Sequence, residues 1–335
     1  EIQTATVQNA ILRLVQTGTW NLAAKISIRT FEPEEPILRA VEDEIRDVNE
    51  LIMMLLAMIY DRRPVQRIRM NLLDRDPENR AIAIELMALL VKPPLKSLLI
   101  SYFEDISVRE KIDKLQLSFP VEVFPFKTLL TKILNRDGMQ LGHFIRICVL
   151  EFMGRRSEFF DEQQILAQGY HPDGKIRETA AQLLRKNDPG QYSLVSERPD
   201  FPDNSFPDHE DPSRWYIETT LRLAGWKLFM NAGLNALLKL VSELRPYHEE
   251  LLAGSDYVVL ARSTEEGDFF PLSSGIAIIA AQQPEILEQI RYLGTGGNCE
   301  AYLIEREVFI ELLFDERSLL HIFCAHLNQN TGNLV

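Results

Sequence analysis

The residues able to do chemistry are scattered in this chain. Six histidines, His143, His171, His209, His248, His321 and His326, include no His-x-x-x-His or His-Glu-x-x-His pair that would set two imidazoles on one helix face for zinc. His321 and His326 would point about 140° apart around an α-helix. The three cysteines, Cys148, Cys299 and Cys324, are widely spaced, which offers neither a disulfide framework nor a metal knuckle. Cys148 sits in an apolar helical stretch where a thiolate would be costly, so packing is its expected role. Ser273-Ser274-Gly275 lacks the glycine two residues before the serine that a nucleophile elbow needs. Asp203, Asp208, His209, Glu210 and Asp211 crowd hard ligands together, yet without the alternating spacing and central glycine of a calcium loop; they read as a solvated acidic stretch. The remaining candidate is the glycine-rich run at Gly294, whose Thr295, Gly296, Gly297 and Asn298 could cradle a phosphate. No arginine follows it at a useful distance, and a hairpin or loop is the plainer reading. The expectation is a chain with no metal, no cofactor and no catalytic set.

What recurs is structural. Asp76-Pro77-Glu78-Asn79-Arg80-Ala81-Ile82-Ala83 and Asp173-Gly174-Lys175-Ile176-Arg177-Glu178-Thr179-Ala180 share an Asp, an Arg four residues on and an Ala seven residues on. An Asp in a turn can cap the second helix of a repeat, the Arg can reach toward the capping Asp of a neighbouring repeat, and the small Ala lets the two helices of a pair approach closely. Arg146, with Val149 three residues later, is a degraded third copy. The steps of 66 and 31 residues from Arg80 to Arg146 to Arg177 suit about two and one repeats of the ~30–47-residue helical class.

The elements that must carry these residues follow from periodicity. Ile37, Val41, Ile45, Val48, Ile52, Leu55 and Ile59 predict a helix over 36–60, with Pro36 in its first turn. A short helix over 64–73 and another over 78–91, capped by Asp76 and burying Ala83, Met87 and Leu90, come next. Pro93-Pro94 starts a helix to Phe103, and further helices are expected at 107–117, 125–135, 139–154, 158–168 and 174–186. Helical periodicity returns from Trp215 to about Leu252, before strands at 257–262 and 276–280, a helix at 286–293 and a final strand.

The stretch Leu72-Leu73-Asp74-Arg75-Asp76-Pro77-Glu78-Asn79-Arg80-Ala81-Ile82-Ala83-Ile84-Glu85-Leu86, with the two helices before it, resembles HEAT-type repeats. It is similar in particular to the cytosolic HEAT segment that follows the membrane part of bacterial ATP/ADP translocase-like transporters. The resemblance covers roughly residues 30–187. A cyclic-nucleotide-binding-like domain often follows in that family, and Glu300 to Leu313 with the helix from Glu316 to Leu327 resembles its closing strand, short helix and longer helix. The Gly-Glu turn and phosphate-pairing Arg of such domains are missing. The resemblance therefore implies a degenerate domain that does not bind cyclic mononucleotides.

Composition sets the outer limits. A net charge of −13 over 335 residues repels phosphate backbones and argues against nucleic acid. The basic stretch Arg62, Arg63, Arg67, Arg69 and Arg75 is interrupted by acids and reads as a solvated or ion-paired face. The longest apolar run, Leu51 to Ile59, falls short of the ~20 residues a membrane span needs. The expected architecture is mostly α: HEAT-like helical repeats forming an α-solenoid over 1–190, an acidic Pro-rich linker over 191–214, and a helical segment with a small α+β domain over 215–335. The expected role is a non-catalytic, cytoplasmic interaction or regulatory module with a protein partner. A chain beginning at Glu1 reads as a processed product or part of something longer, with membrane contact only through a transporter domain outside it. The alternative is a nucleotide sensor holding a phosphate ligand at Thr295 to Asn298.

Overall fold

Capped amphipathic helices dominate the computed structural model, which describes residues 4–31, 35–74, 76–136, 141–196, 212–246, 257–263, 277–280 and 299–331. The fold is mostly α with a small α+β part, as the periodicity predicts. It divides into two compact units, Glu1–Tyr170 and His171–Val335.

In the first unit, α1 (Thr4–Phe31), α2 (Glu35–Ile59), α3 (Arg62–Leu73), α4 (Pro77–Leu90), α5 (Leu95–Phe103), α6 (Val108–Leu115), α7 (Phe126–Leu134), α8 (His143–Arg155) and α9 (Glu162–Gln168) follow one another. Several of these starts are fixed by side-chain caps. Asp61 accepts a hydrogen bond from Arg63 N, Asp76 from Glu78 N with Pro77 at the first helical position, and Ser107 and Glu110 form a reciprocal capping box at α6. Helix α1, which periodicity does not announce, packs against α2, α5, α6 and α7. Its polar Thr19, Asn21 and Ser27 are buried along with its apolar residues, so its sequence lacks the contrast between faces that reveals a helix. One continuous core joins Ile11 and Val15 of α1, Ile52 and Leu56 of α2, Ala83 and Met87 of α4, and Leu95 and Leu99 of α5.

The second unit opens with α10 (Gly174–Asn187) and α11 (Pro189–Ser196), then α12 (Pro212–Ala224), a 3-10 turn at Lys227–Phe229 and α13 (Leu234–Glu243). Helix α11 reaches into the stretch expected as linker; the acidic, proline-rich remainder, 197–211, lies outside the described residues. Strands β1 (Arg245–Pro246), β2 (Tyr257–Ser263), β3 (Ala277–Ala280) and β4 (Cys299–Glu305) form an antiparallel sheet in the order β1-β4-β2-β3, with Val259 opposite both Leu303 and Ile279. Helices α14 (Arg306–Asp315) and α15 (Arg317–Thr331) complete the chain order. The helix expected at 286–293 lies outside the described residues. An aromatic core holds this unit together: Trp226 lies 6.0 Å from Tyr302, and Phe323 packs edge-on against both Phe229 and Phe309. Tyr216 of α12 donates to Glu178 of α10 at 2.8 Å, and burial raises the pKa of both groups.

Candidate functional site

The three arginines of the recurring motif occupy the same place, the fourth residue of their helix: Arg80 in α4, Arg146 in α8 and Arg177 in α10. Their guanidinium groups do different things. Arg80 Nη1 donates to Asp105 Oδ1 at 2.9 Å, so it reaches forward to the turn ahead of α6, whose cap is Ser107 rather than Asp105. Arg146, only 2 % exposed, donates to the carbonyls of Leu134, at 2.9 Å, and Arg136, closing the C-terminal end of α7. Arg177 donates to the carbonyls of His171 and Pro172 in its own turn, at 2.9 and 2.8 Å. The capping half of the motif is alike in both full copies, since Asp76 takes Glu78 N, and Asp173 takes Lys175 N and Ile176 N. Ala83 and Ala180 are both fully buried. The copies belong to different units, Asp76, Arg80 and Ala83 to the first and Asp173, Arg177 and Ala180 to the second.

Arg80 stands in a cavity. Helices α2, α3 and α4 and the α5–α6 corner border a half-open cavity of about 200 Å³ lined by Asn49, Glu50 and Met53, by Arg69, Leu72 and Leu73, and by Arg80, Phe103, Asp105 and Lys111. The α3–α4 turn is fixed by Asp74, which accepts from Asp76 N at 3.0 Å and from Asn79 Nδ2 at 2.8 Å, and this sets the direction in which Arg80 leaves its helix. Arg69 Nε donates to Glu50 at 2.7 Å, joining α3 to α2. Phe103 is held edge-on by Tyr102, ring centroids 5.0 Å apart. Burial lowers the pKa of the Lys111 ammonium; Asp105 and Glu104 oppose that shift, while Arg80 and Lys25 add to it. The cavity contains no cysteine, serine, threonine or histidine to serve as a nucleophile or neutral-pH base, and its chemistry is that of charge recognition.

A second feature of the first unit is the apolar run Leu51 to Ile59. Ile52, Met53 and Leu56 point into the core, whereas Leu51, Met54 and Met58 stand 46 %, 63 % and 50 % exposed on the other side of α2. Met70 and Leu73 of α3 are likewise exposed.

Sequence patterning located Arg80, Asp76 and Ala83 but not Glu50, Asp105 or Lys111, which reach the cavity through tertiary contacts that no local spacing encodes. Within the expected basic stretch Arg69 is ion-paired, and Arg62, Arg63 and Arg67 face solvent. Cys148 is buried, and burial pushes its thiol pKa up, in keeping with a packing role. Thr295, Gly296, Gly297 and Asn298, the acidic cluster 203–211 and Ser273-Ser274-Gly275 all lie outside the described residues. Among the described residues no helix is long and apolar enough to cross a membrane. The chain matches no family model, no curated protein and no solved structure.

Proposed function

We propose that this chain is a non-catalytic helical interaction or regulatory module whose first unit binds a protein partner. The second unit is then an appended α+β domain of the degenerate cyclic-nucleotide-binding kind, and the whole acts in the cytoplasm as the soluble part of a transporter-like protein. One observation carries the reading: the last turns of α2 are apolar around their whole circumference, while the core uses only one side. A helix at a protein surface normally turns charged and polar residues outward, so Leu51, Met54 and Met58 expose apolar area that water disfavours and an apolar partner surface would cover. Methionine suits such a surface because its unbranched chain adapts to the shape it meets.

Site-specific photo-crosslinking tests this. A photoreactive phenylalanine analogue at Met54 is expected to give a discrete protein adduct in cells, and the same probe at exposed Lys92 to give none. Adducts equal at the two positions, or absent at Met54, would overturn the reading.

A further inference from the structure

The cavity beside Arg80 has the size and charge of a small-ligand site. Its volume of about 200 Å³ is below the ~300–1,000 Å³ of pockets for drug-sized ligands and well above the ~30 Å³ share of one water molecule. Its charged groups are three cations, Arg69, Arg80 and Lys111, against two carboxylates, Glu50 and Asp105. A local excess of positive charge is notable in a chain with a net charge of −13.

The carboxylates are already engaged. Glu50 accepts from Arg69 Nε at 2.7 Å and Asp105 from Arg80 Nη1 at 2.9 Å. The Arg69 contact uses only one edge of the guanidinium, and among the described residues its terminal amino groups have no other partner. Lys111 has no ion pair among the described residues, although Asp105 and Glu104 are close enough to act on its charge. Met53, Leu72 and Phe103 supply apolar wall beside Lys111, whose charge burial disfavours, while the Arg69 side chain stays 46 % exposed.

We propose that this cavity binds a small oxyanion of the phosphate class, inorganic phosphate or a compact phosphomonoester, held between the terminal amino groups of Arg69 and the Lys111 ammonium with Arg80 behind them. A dianion fits better than a carboxylate because three cations converge on the space and two carboxylates repel whatever enters it. Attraction and repulsion both scale with the ligand's charge, so the excess of cations over carboxylates holds a dianion about twice as strongly as a monoanion. The proposal does not rest on partner binding.

Isothermal titration of the full chain with sodium phosphate, and with sodium acetate at matched low ionic strength, reads the proposal directly. Phosphate is expected to bind saturably at one site and to raise the melting temperature, with acetate at least about tenfold weaker. Lys111→Met, which keeps the buried stem, and Arg69→Gln should each weaken phosphate by about tenfold or more, while Lys92→Met leaves it unchanged. A melting curve of each variant without phosphate shows that it is folded. No saturable heat and no melting shift with phosphate would sink the proposal, as would equal binding of acetate, or phosphate affinity that survives both cavity substitutions.

Discussion

Tyr102 of α5 lies against the backbone of Gly18 in α1: a Cβ built on Gly18 would stand 2.6 Å from Tyr102 Cζ and closer still to the hydroxyl oxygen. The ring is fully enclosed, and its hydroxyl has no hydrogen-bond partner. The contact also positions Phe103, the neighbouring ring in the cavity wall.

Gly18→Ala is therefore expected to destabilise the first unit by about 1–3 kcal/mol, the usual cost of overpacking, although helix propensity alone favours Ala by ~1 kcal/mol. Tyr102→Phe, which removes an unsatisfied hydroxyl, should leave stability unchanged or raise it slightly. Urea denaturation checks both, and a stabilised Gly18→Ala would show that the helices separate easily.

Arg146 closes α7 from the interior, where charge-assisted hydrogen bonds are worth roughly 1.5–3 kcal/mol each. Arg146→Met should cost about 3 kcal/mol or more, because the carbonyls of Leu134 and Arg136 then lose their charged donor. Arg177→Met removes bonds to the half-open carbonyls of His171 and Pro172 and should cost less. Equal losses in chemical denaturation would contradict the difference in burial between the two sites.

How far the fold could be read in advance depended on where each element's cause lies. Helix α2 carries its periodicity in its own residues, and α4 and α10 follow directly on the capping Asp76 and Asp173, so their bounds were legible to within a residue or two. Helix α1 was not, because Asn21 and Thr19 are as buried as Ile11 and erase the amphipathic signal. The two-residue strand β1 is set only by its pairing with Leu303 and Tyr302, and its Pro246 argues locally against a strand. At the cavity, the position of Arg80 was readable and its partner was not. The same motif sends Arg80 to a side chain 25 residues on and Arg177 to its own turn, a choice made by whatever packs beside each helix.

Ala83 has no exposed surface and belongs to the core that joins α1, α2, α4 and α5. Ala83→Asp places a carboxylate in that core without a counter-ion, a change comparable with the whole ~5–15 kcal/mol stability of a domain. Loss of the first unit's cooperative melting transition is expected. A melting curve close to that of the unsubstituted chain would mean that α4 can swing away from the core.

Asp47 yields the prediction that turns on pH. Burial raises its pKa to about 6, the Asp43 and Glu50 carboxylates push the same way, and Arg46 opposes them. Between its ordinary value of 3.8 and about 6 the folded chain holds a proton at this site that the unfolded chain has released. Stability from this group is therefore greatest below that window and declines as pH rises through it. Asp47→Asn removes the titration without removing the side chain's bulk. The variant should melt above the unsubstituted chain at about pH 7, with the gap narrowing through the window and closing only as pH falls below 3.8, where the native carboxyl becomes protonated in both states. Because every other carboxylate titrates alike in the two proteins, the quantity to follow is the difference between their melting temperatures. A variant that melts lower at neutral pH would show that attraction to Arg46 outweighs burial and the two neighbouring carboxylates.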